Sequence, residues 1–290
     1  MQKECHTCGY QQVEVAEKGF TFPMLVMYPT SILETEERVG PYVLKAAKHA
    51  PVSEGEHPLA IISHGTGGTP YVYRTLARYL ARCGFVVGLP EHPFNNLTDN
   101  SLEGTVENLE NRPKQLSAAI DWFMNSEEFA SHVRQKDAAI IGHSMGAYTA
   151  LAAAGGRPVS LPRESSDGNS CNVKVEPDSR IGRLVLLAPA SVWFKEKGAL
   201  DEVTVPVLML TGEKDEITTS FHSDIILNGL SGPNQMQHRM IENGGHFSFL
   251  SPFPEKLVRP DFPPSQDPPG FDRASFHQQL NKEIAEFLSE

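Results

Sequence analysis

Ala138-Ala139-Ile140-Ile141-Gly142-His143-Ser144-Met145-Gly146-Ala147-Tyr148 is a short apolar run that breaks at Gly-x-Ser-x-Gly and passes into an Ala-rich, helix-forming segment. The pattern describes a buried strand turning sharply into a helix, with the serine hydroxyl thrust out of the sheet at the turn. Gly142 and Gly146 flank Ser144 because such a turn leaves no room for a Cβ at either position. Ser144 is therefore the candidate nucleophile. A pattern this short also arises by chance, so its weight depends on what the rest of the chain places beside it.

Upstream, Leu59-Ala60-Ile61-Ile62-Ser63 is a second apolar strand, and it runs directly into His64-Gly65-Thr66-Gly67-Gly68. Glycines after a buried strand let main-chain N–H groups turn toward a ligand, as acyl transfer requires where charge develops on the attacked carbonyl oxygen. A plain glycine turn is the alternative. Residues 71 to 83 then place Val72, Leu76, Tyr79, Leu80 and Cys83 on one face and Arg74, Arg78 and Arg82 on the other, a helical period. Gly84 to Leu89 is another strand, ending at Pro90, and the loop 91–104 beyond it lies at the sheet edge where open α/β sheets bind ligands. His92 and Phe94 on that loop are candidates for lining a pocket. Leu109, Leu116, Ile120 and Phe123 form a further helix face, with Pro113 read as lying in its first turns.

Before these elements, residues 10–15 and 22–28 predict two antiparallel strands, the second ending at Pro29. Residues 30–58 read as a long polar surface connection with one helical turn near Val43 to Ala47. After the elbow, 157–180 is too polar to build core and is expected to be a lid or a surface insertion. Residues 184–188, 205–210 and 236–241 predict three more strands. The proline-rich stretch 251–270 should wrap the surface beside the site, and Phe276, Leu280, Ile284, Phe287 and Leu288 mark a closing helix. Strands alternating with helices predict one α/β domain over 1–290, a mainly parallel doubly wound sheet.

Composition narrows the function classes. A net charge of −11 argues against nucleic-acid binding, which needs clustered cations. No apolar run approaches membrane-spanning length and no secretory signal precedes the first strand, so the expectation is a soluble, cytoplasmic protein. Cys5-His6-Thr7-Cys8 has the spacing of half a zinc site, but Cys83 and Cys171 supply no second half, and a frayed, reduced dithiol is expected instead.

A serine nucleophile needs a base, and the base needs an acid to hold its tautomer. Of the 11 histidines, His246 alone is both late in the chain and set in a strand-end glycine turn, Gly244-Gly245-His246-Phe247. The acid should come from Gly212-Glu213-Lys214-Asp215-Glu216, where Asp215 is preferred and Glu213 and Glu216 compete. The order Ser144, Asp215, His246 then follows the Ser, acid, His order of one fold.

With these residues in place the chain resembles the α/β-hydrolases, and more narrowly the dienelactone-hydrolase-like and platelet-activating-factor-acetylhydrolase-like group. The carriers are Val26-Met27-Tyr28-Pro29-Thr30, His64-Gly65-Thr66-Gly67-Gly68, Pro90-Glu91-His92-Pro93, Gly142-His143-Ser144-Met145-Gly146, Gly212-Glu213-Lys214-Asp215 and Gly245-His246-Phe247. The resemblance implies oxyanion donors in the backbone N–H groups of Met145 and Thr66. The pocket itself is expected to draw on Gly65, His92, Phe94, Trp193 and Phe247. Two departures stand out. Dienelactone hydrolases use a cysteine where this chain has Ser144, which points to ordinary esters. Phospholipid acetylhydrolases take their acid from the loop after the preceding strand, where Ala188-Pro189-Ala190-Ser191-Val192-Trp193 offers no carboxylate. Trp193 and Phe194 would line the pocket mouth or simply pack.

The expected activity is hydrolysis of a small or medium acyl ester through an acyl-enzyme, without cofactor or metal. Amide or thioester cleavage by the same residues, and a noncatalytic ligand-binding role on the same fold, are the rival readings.

Overall fold

In the computed structural model, residues 6–17, 19–230, 232 and 236–290 are described. The strands are β1 (Thr7–Glu17), β2 (Phe20–Thr30), β3 (Thr35–Val39), β4 (Tyr42–Lys48), β5 (Leu59–Ser63), β6 (Val86–Pro90), β7 (Ala138–His143), β8 (Ile181–Leu187), β9 (Val207–Gly212) and β10 (Met236–Ile241). They form a sheet in the order β10-β9-β8-β7-β5-β6-β2-β1-β4-β3. From β10 to β6 every neighbour is parallel, and β2 runs antiparallel to both β6 and β1.

Alternation along the strands sorts the core into two layers, because successive side chains leave opposite faces. Ile61, Ile140, Leu184 and Leu186 pack with α2 (Val106–Asn125) and α3 (Met145–Ala153). Ile62, Ile141, Val185 and Leu187 pack with α1 (Arg74–Arg82) and α5 (Arg273–Ser289). A further helix, α4 (Ser220–Gly229), follows β9.

Three expectations need correction. Residues 35–48 form the β3–β4 hairpin, not a loop with a helical turn, and Gly40 makes its turn at φ 55°. Tyr42 and Leu44 are buried while Val43 and Lys45 are exposed, a two-residue period that a helical reading of 43–47 overlooks. Second, β2 continues through Pro29, which pairs with Cys8. Pairing of β2 with β6 spans only Met24 to Met27, so Pro23 and Pro29 sit where one side of the strand is an edge and a missing N–H breaks no ladder. Third, Pro113 lies well inside α2, beyond its first turns. The carbonyl it leaves without a helical donor, that of Leu109, accepts a hydrogen bond from the Tyr148 hydroxyl at 3.0 Å.

Cys8 is not frayed. It is fully buried in β1, and burial pushes its thiol up to about 12. Cys5 lies outside the described residues, among which no group of His, Cys, Asp or Glu could hold a metal ion. No described helix is long and apolar enough to cross a membrane.

Candidate active site

β5 is followed in the chain by β6 on one side and, after α2, by β7 on the other, so the chain changes direction across the sheet at β5. Loops leaving the carboxyl ends of β5 and β7 therefore open a crevice between them. Ser63 pairs with Gly142 in register, which brings the glycine-rich turn after β5 against the elbow after β7.

At the elbow Ser144 takes φ 53° and ψ −117°, a region costing a non-glycine residue roughly 1–3 kcal/mol. Its N–H donates to Leu187 O at 3.0 Å and its carbonyl accepts from Ala190 N at 3.1 Å, so neighbouring segments hold the strained backbone. The glycines are required by contact: a Cβ on Gly146 would lie 1.9 Å from Ser63 O, and one on Gly142 would lie 2.2 Å from Gly146 O. Gly146→Ala is expected to destabilise the protein by about 3 kcal/mol, since backbone cannot move aside as a side chain can. Denaturant unfolding of the variant measures this.

On the far side of β7, Gly212 and Ile241 are paired in register at the ends of β9 and β10, so the loops that follow them emerge together. Asp215 and His246 stand on those loops, both buried. His246 Nδ1 lies 2.8 Å from Asp215 Oδ2. A carboxylate can only accept, so Nδ1 carries the proton and Nε2 remains for other work. Asp215 is itself well held: Oδ1 accepts from the Ile217 and Thr218 N–H groups, both at 2.8 Å, and Oδ2 accepts from the Thr218 hydroxyl at 2.7 Å. Burial pushes the carboxyl up, but the bonds and charge of His246 and the bonds from Thr218 outweigh it and leave the pKa lowered. Glu213 and Glu216 are exposed, and Glu213 instead accepts from Asn243 N at 2.8 Å.

Ser144 and His246 line one cavity of about 300 Å³ together with Gly65, Thr66 and Phe247. Among the described residues the Ser144 hydroxyl has no hydrogen-bond partner, an open arrangement common before substrate binds. Met145 begins α3, where an N–H has no acceptor within the helix, and no hydrogen bond among the described residues engages Thr66 N.

Other expected pocket residues lie elsewhere. His92 is fully buried beneath the turn, with Nδ1 2.8 Å from Gln115 Oε1 and Nε2 2.8 Å from Ser63 Oγ. Phe94 is 39% exposed, at φ 62°, and does not line the cavity. Trp193 packs, its ring 4.8 Å from that of Tyr148 and its N–H 2.9 Å from Glu164 Oε2. That bond ties 157–180 to the flank of α3, and no residue of the segment lines the cavity. The walls come instead from Tyr42, Val72 and Leu250, from Leu97 and Glu103 of 91–104, and from Phe253, Phe262 and Pro264 of 251–270.

His143, which precedes Ser144, also reaches the cavity. Its Nε2 is 3.0 Å from His246 O and its Nδ1 is 3.0 Å from the Tyr73 hydroxyl, which is 3.4 Å from Gly65 N. This chain joins the turn after β5 to the backbone of His246. Burial, aided by His246, lowers His143 to about 3.

His64, His92 and His277 are likewise buried and lowered by burial, His64 to about 3 and His277 to about 4. All four are neutral on both sides of unfolding above the ordinary value near 6.5. Below it the unfolded chain binds protons that the folded one refuses, so stability falls as pH drops from about 6.5 toward 4. At pH 5 unfolding is expected to take up about four protons through these groups, read from the slope of unfolding free energy against pH. A slope of less than one proton would contradict it.

A family model described as alpha/beta hydrolase fold matches residues 58–162, from β5 through the elbow helix. Among solved structures, a ferulic acid esterase from Streptomyces cinnamoneus superposes with a TM-score of 0.65 at 17% identity, covering 97% of this chain and 88% of that one. A search of curated proteins found no match. Strand order, elbow and these two likenesses identify the architecture: the chain has the α/β-hydrolase fold.

Proposed function

We propose that the protein is a serine carboxylester hydrolase acting on a neutral, small or medium acyl ester. The observation that carries this reading is the short bond from a buried, fully hydrogen-bonded Asp215 to His246 in a cavity that Ser144 shares. Ser144 Oγ attacks the acyl carbonyl while His246 Nε2 takes its proton. The N–H groups of Met145 and Thr66 receive the developing oxyanion. His246 then gives the proton to the departing alcohol, and water, deprotonated by His246, releases the acid. The esterase neighbour is consistent with this chemistry. Within the fold we place the chain nearest the dienelactone-hydrolase-like and acetylhydrolase-like group, with Ser144 replacing the cysteine of the former.

Among the described residues lining the cavity, Glu103 is the one carboxylate and no Lys or Arg is present. Aromatic and aliphatic walls favour an apolar acyl group, and nothing there pairs with a substrate carboxylate. Labelling with a fluorophosphonate probe followed by peptide mapping tests the nucleophile, and an adduct at any residue other than Ser144 overturns the reading. A panel of nitrophenyl esters graded in acyl length, with an arylacyl and a carboxylate-ended member, tests the substrate class. The carboxylate-ended ester is expected to be turned over at least tenfold less efficiently than its neutral counterpart, about 1.4 kcal/mol in the barrier. Matched thioester and amide substrates separate the rival leaving groups.

A further inference from the structure

Arg112 of α2 is fully buried, and among the described residues no carboxylate pairs with its guanidinium. Its Nε donates to Thr149 Oγ1 at 2.9 Å, and one terminal nitrogen donates to Asn95 Oδ1 at 2.6 Å. The other donates to Ser63 Oγ at 3.3 Å and to the His64 carbonyl. Every acceptor is neutral, and each belongs to a segment that builds the site. Ser63 and His64 lead into the turn carrying Thr66, and Asn95 sits in the loop that supplies Leu97 and Glu103 to the cavity. Thr149 lies on the elbow helix, where its hydroxyl donates to Met145 O at 3.1 Å.

An ion taken out of water costs several kcal/mol unless a counter-ion offsets it, and an apolar side chain of similar length would fill the same space more cheaply. Burial lowers Arg112 to about 9, which leaves it charged near neutral pH. A buried positive charge without a partner anion favours any negative charge that develops nearby, and in a water-excluded site such an effect is large. The anion required by the proposed chemistry develops between the segments that Arg112 holds.

Its charge also acts through His64. Gly65 O is held from two sides, by His64 Nδ1 at 2.7 Å and by Gly68 N at 3.1 Å, while His64 Nε2 accepts from His92 N at 3.0 Å. In a trans peptide the C=O and the following N–H point opposite ways, so pinning Gly65 O fixes the direction of Thr66 N–H. His64 can accept at Nε2 only while neutral, and after burial the Arg112 charge is the next contribution keeping it so.

We propose that Arg112 is a positioning residue of the oxyanion site, clamping the turn after β5 to the elbow helix and supplying uncompensated positive charge beneath the oxyanion. The inference rests on the esterase reading. Its test compares Arg112→Met, Arg112→Gln and Arg112→Lys with the wild type. Three quantities are read: kcat and KM on a neutral activated ester, inhibition by a trifluoromethyl ketone, whose adduct carries the oxyanion, and the thermal midpoint. The two neutral variants are expected to lose on the order of 10²-fold in kcat, with KM within about threefold and a parallel loss of ketone affinity. Arg112→Lys, which keeps charge but not the planar fork, is expected to recover at least about tenfold of both. If Met does not fold at this position, Gln, which keeps hydrogen-bonding groups, decides the question.

A folded neutral variant with kcat within about threefold of the wild type overturns the inference. So does a lysine variant no better than the neutral ones, or a loss of activity that leaves ketone affinity unchanged. Failure of the wild type to hydrolyse any ester or to label at Ser144 would instead remove the underlying reading.

Discussion

Ser144→Ala is expected to lower kcat on an activated ester by about 10⁶-fold, and His246→Ala by a similar factor. In the proposed mechanism the two residues act as a unit: without the base the hydroxyl is a poor nucleophile, and without the hydroxyl the base has nothing to activate. The double variant should therefore be hardly worse than either single one, and that non-additivity is as diagnostic as the size of the loss. Residual turnover in all three should reflect the N–H donors and binding alone. Stopped assays on highly purified protein, with active-site titration of the wild type, measure these differences. Turnover of Ser144→Ala within tenfold of wild type would rule out the acyl-enzyme mechanism. Folding is not expected to suffer, because the serine side chain has no hydrogen-bond partner to lose among the described residues.

Asp215→Asn is expected to cost about 10⁴-fold in kcat, because an amide in place of the carboxylate favours the wrong tautomer of His246. The neighbouring carboxylates give the control. Glu213 and Glu216 are exposed, so Glu213→Gln and Glu216→Gln should leave kcat within about threefold, as surface changes do. A collapse in either glutamine variant with an active Asp215→Asn would reassign the acid. Thr218, which donates to Asp215 Oδ2 and lies 3.1 Å from His246 Nδ1, predicts an intermediate effect. Thr218→Val should reduce kcat by roughly tenfold, the worth of one hydrogen bond to a charged group, and Thr218→Ser should restore most of it.

The parts of the site that sequence made legible are those where chemistry and backbone geometry coincide in a few consecutive residues. A Cβ on Gly142 would meet Gly146 O within the same turn, so that glycine is written locally, while the one at Gly146 also answers to Ser63 on the neighbouring strand. The meeting of Asp215 with His246 was legible for a related reason: each follows a strand of a parallel sheet, and parallel strands deliver their carboxyl ends to one edge. The alternation of apolar runs with helical periods likewise made the doubly wound sheet readable.

The hairpin at 35–48 and the individual residues of the cavity walls were not legible in this way, although loops 91–104 and 251–270 were expected beside the site and do line it. Tyr42, Val72, Leu97, Phe253 and Phe262 come from separate segments with no shared pattern, and only their packing makes them one surface. His92 and Trp193 show the converse. Position at the sheet edge and an aromatic side chain suggested a pocket, but the hydroxyl of Ser63 and the carboxylate of Glu164 offered buried partners that hold both side chains away from it. Arg112 reads in sequence as one more charge on an amphipathic helix. Its burial depends on Asn95, Ser63, His64 and Thr149 converging from three segments. By itself, then, the sequence determined the fold class and the candidate nucleophile, base and acid, because each is tied to a local backbone requirement. Tertiary structure alone decided the cavity's lining, the partners of the buried histidines and the neutral acceptors around the Arg112 guanidinium, because those depend on contacts between residues far apart in the chain.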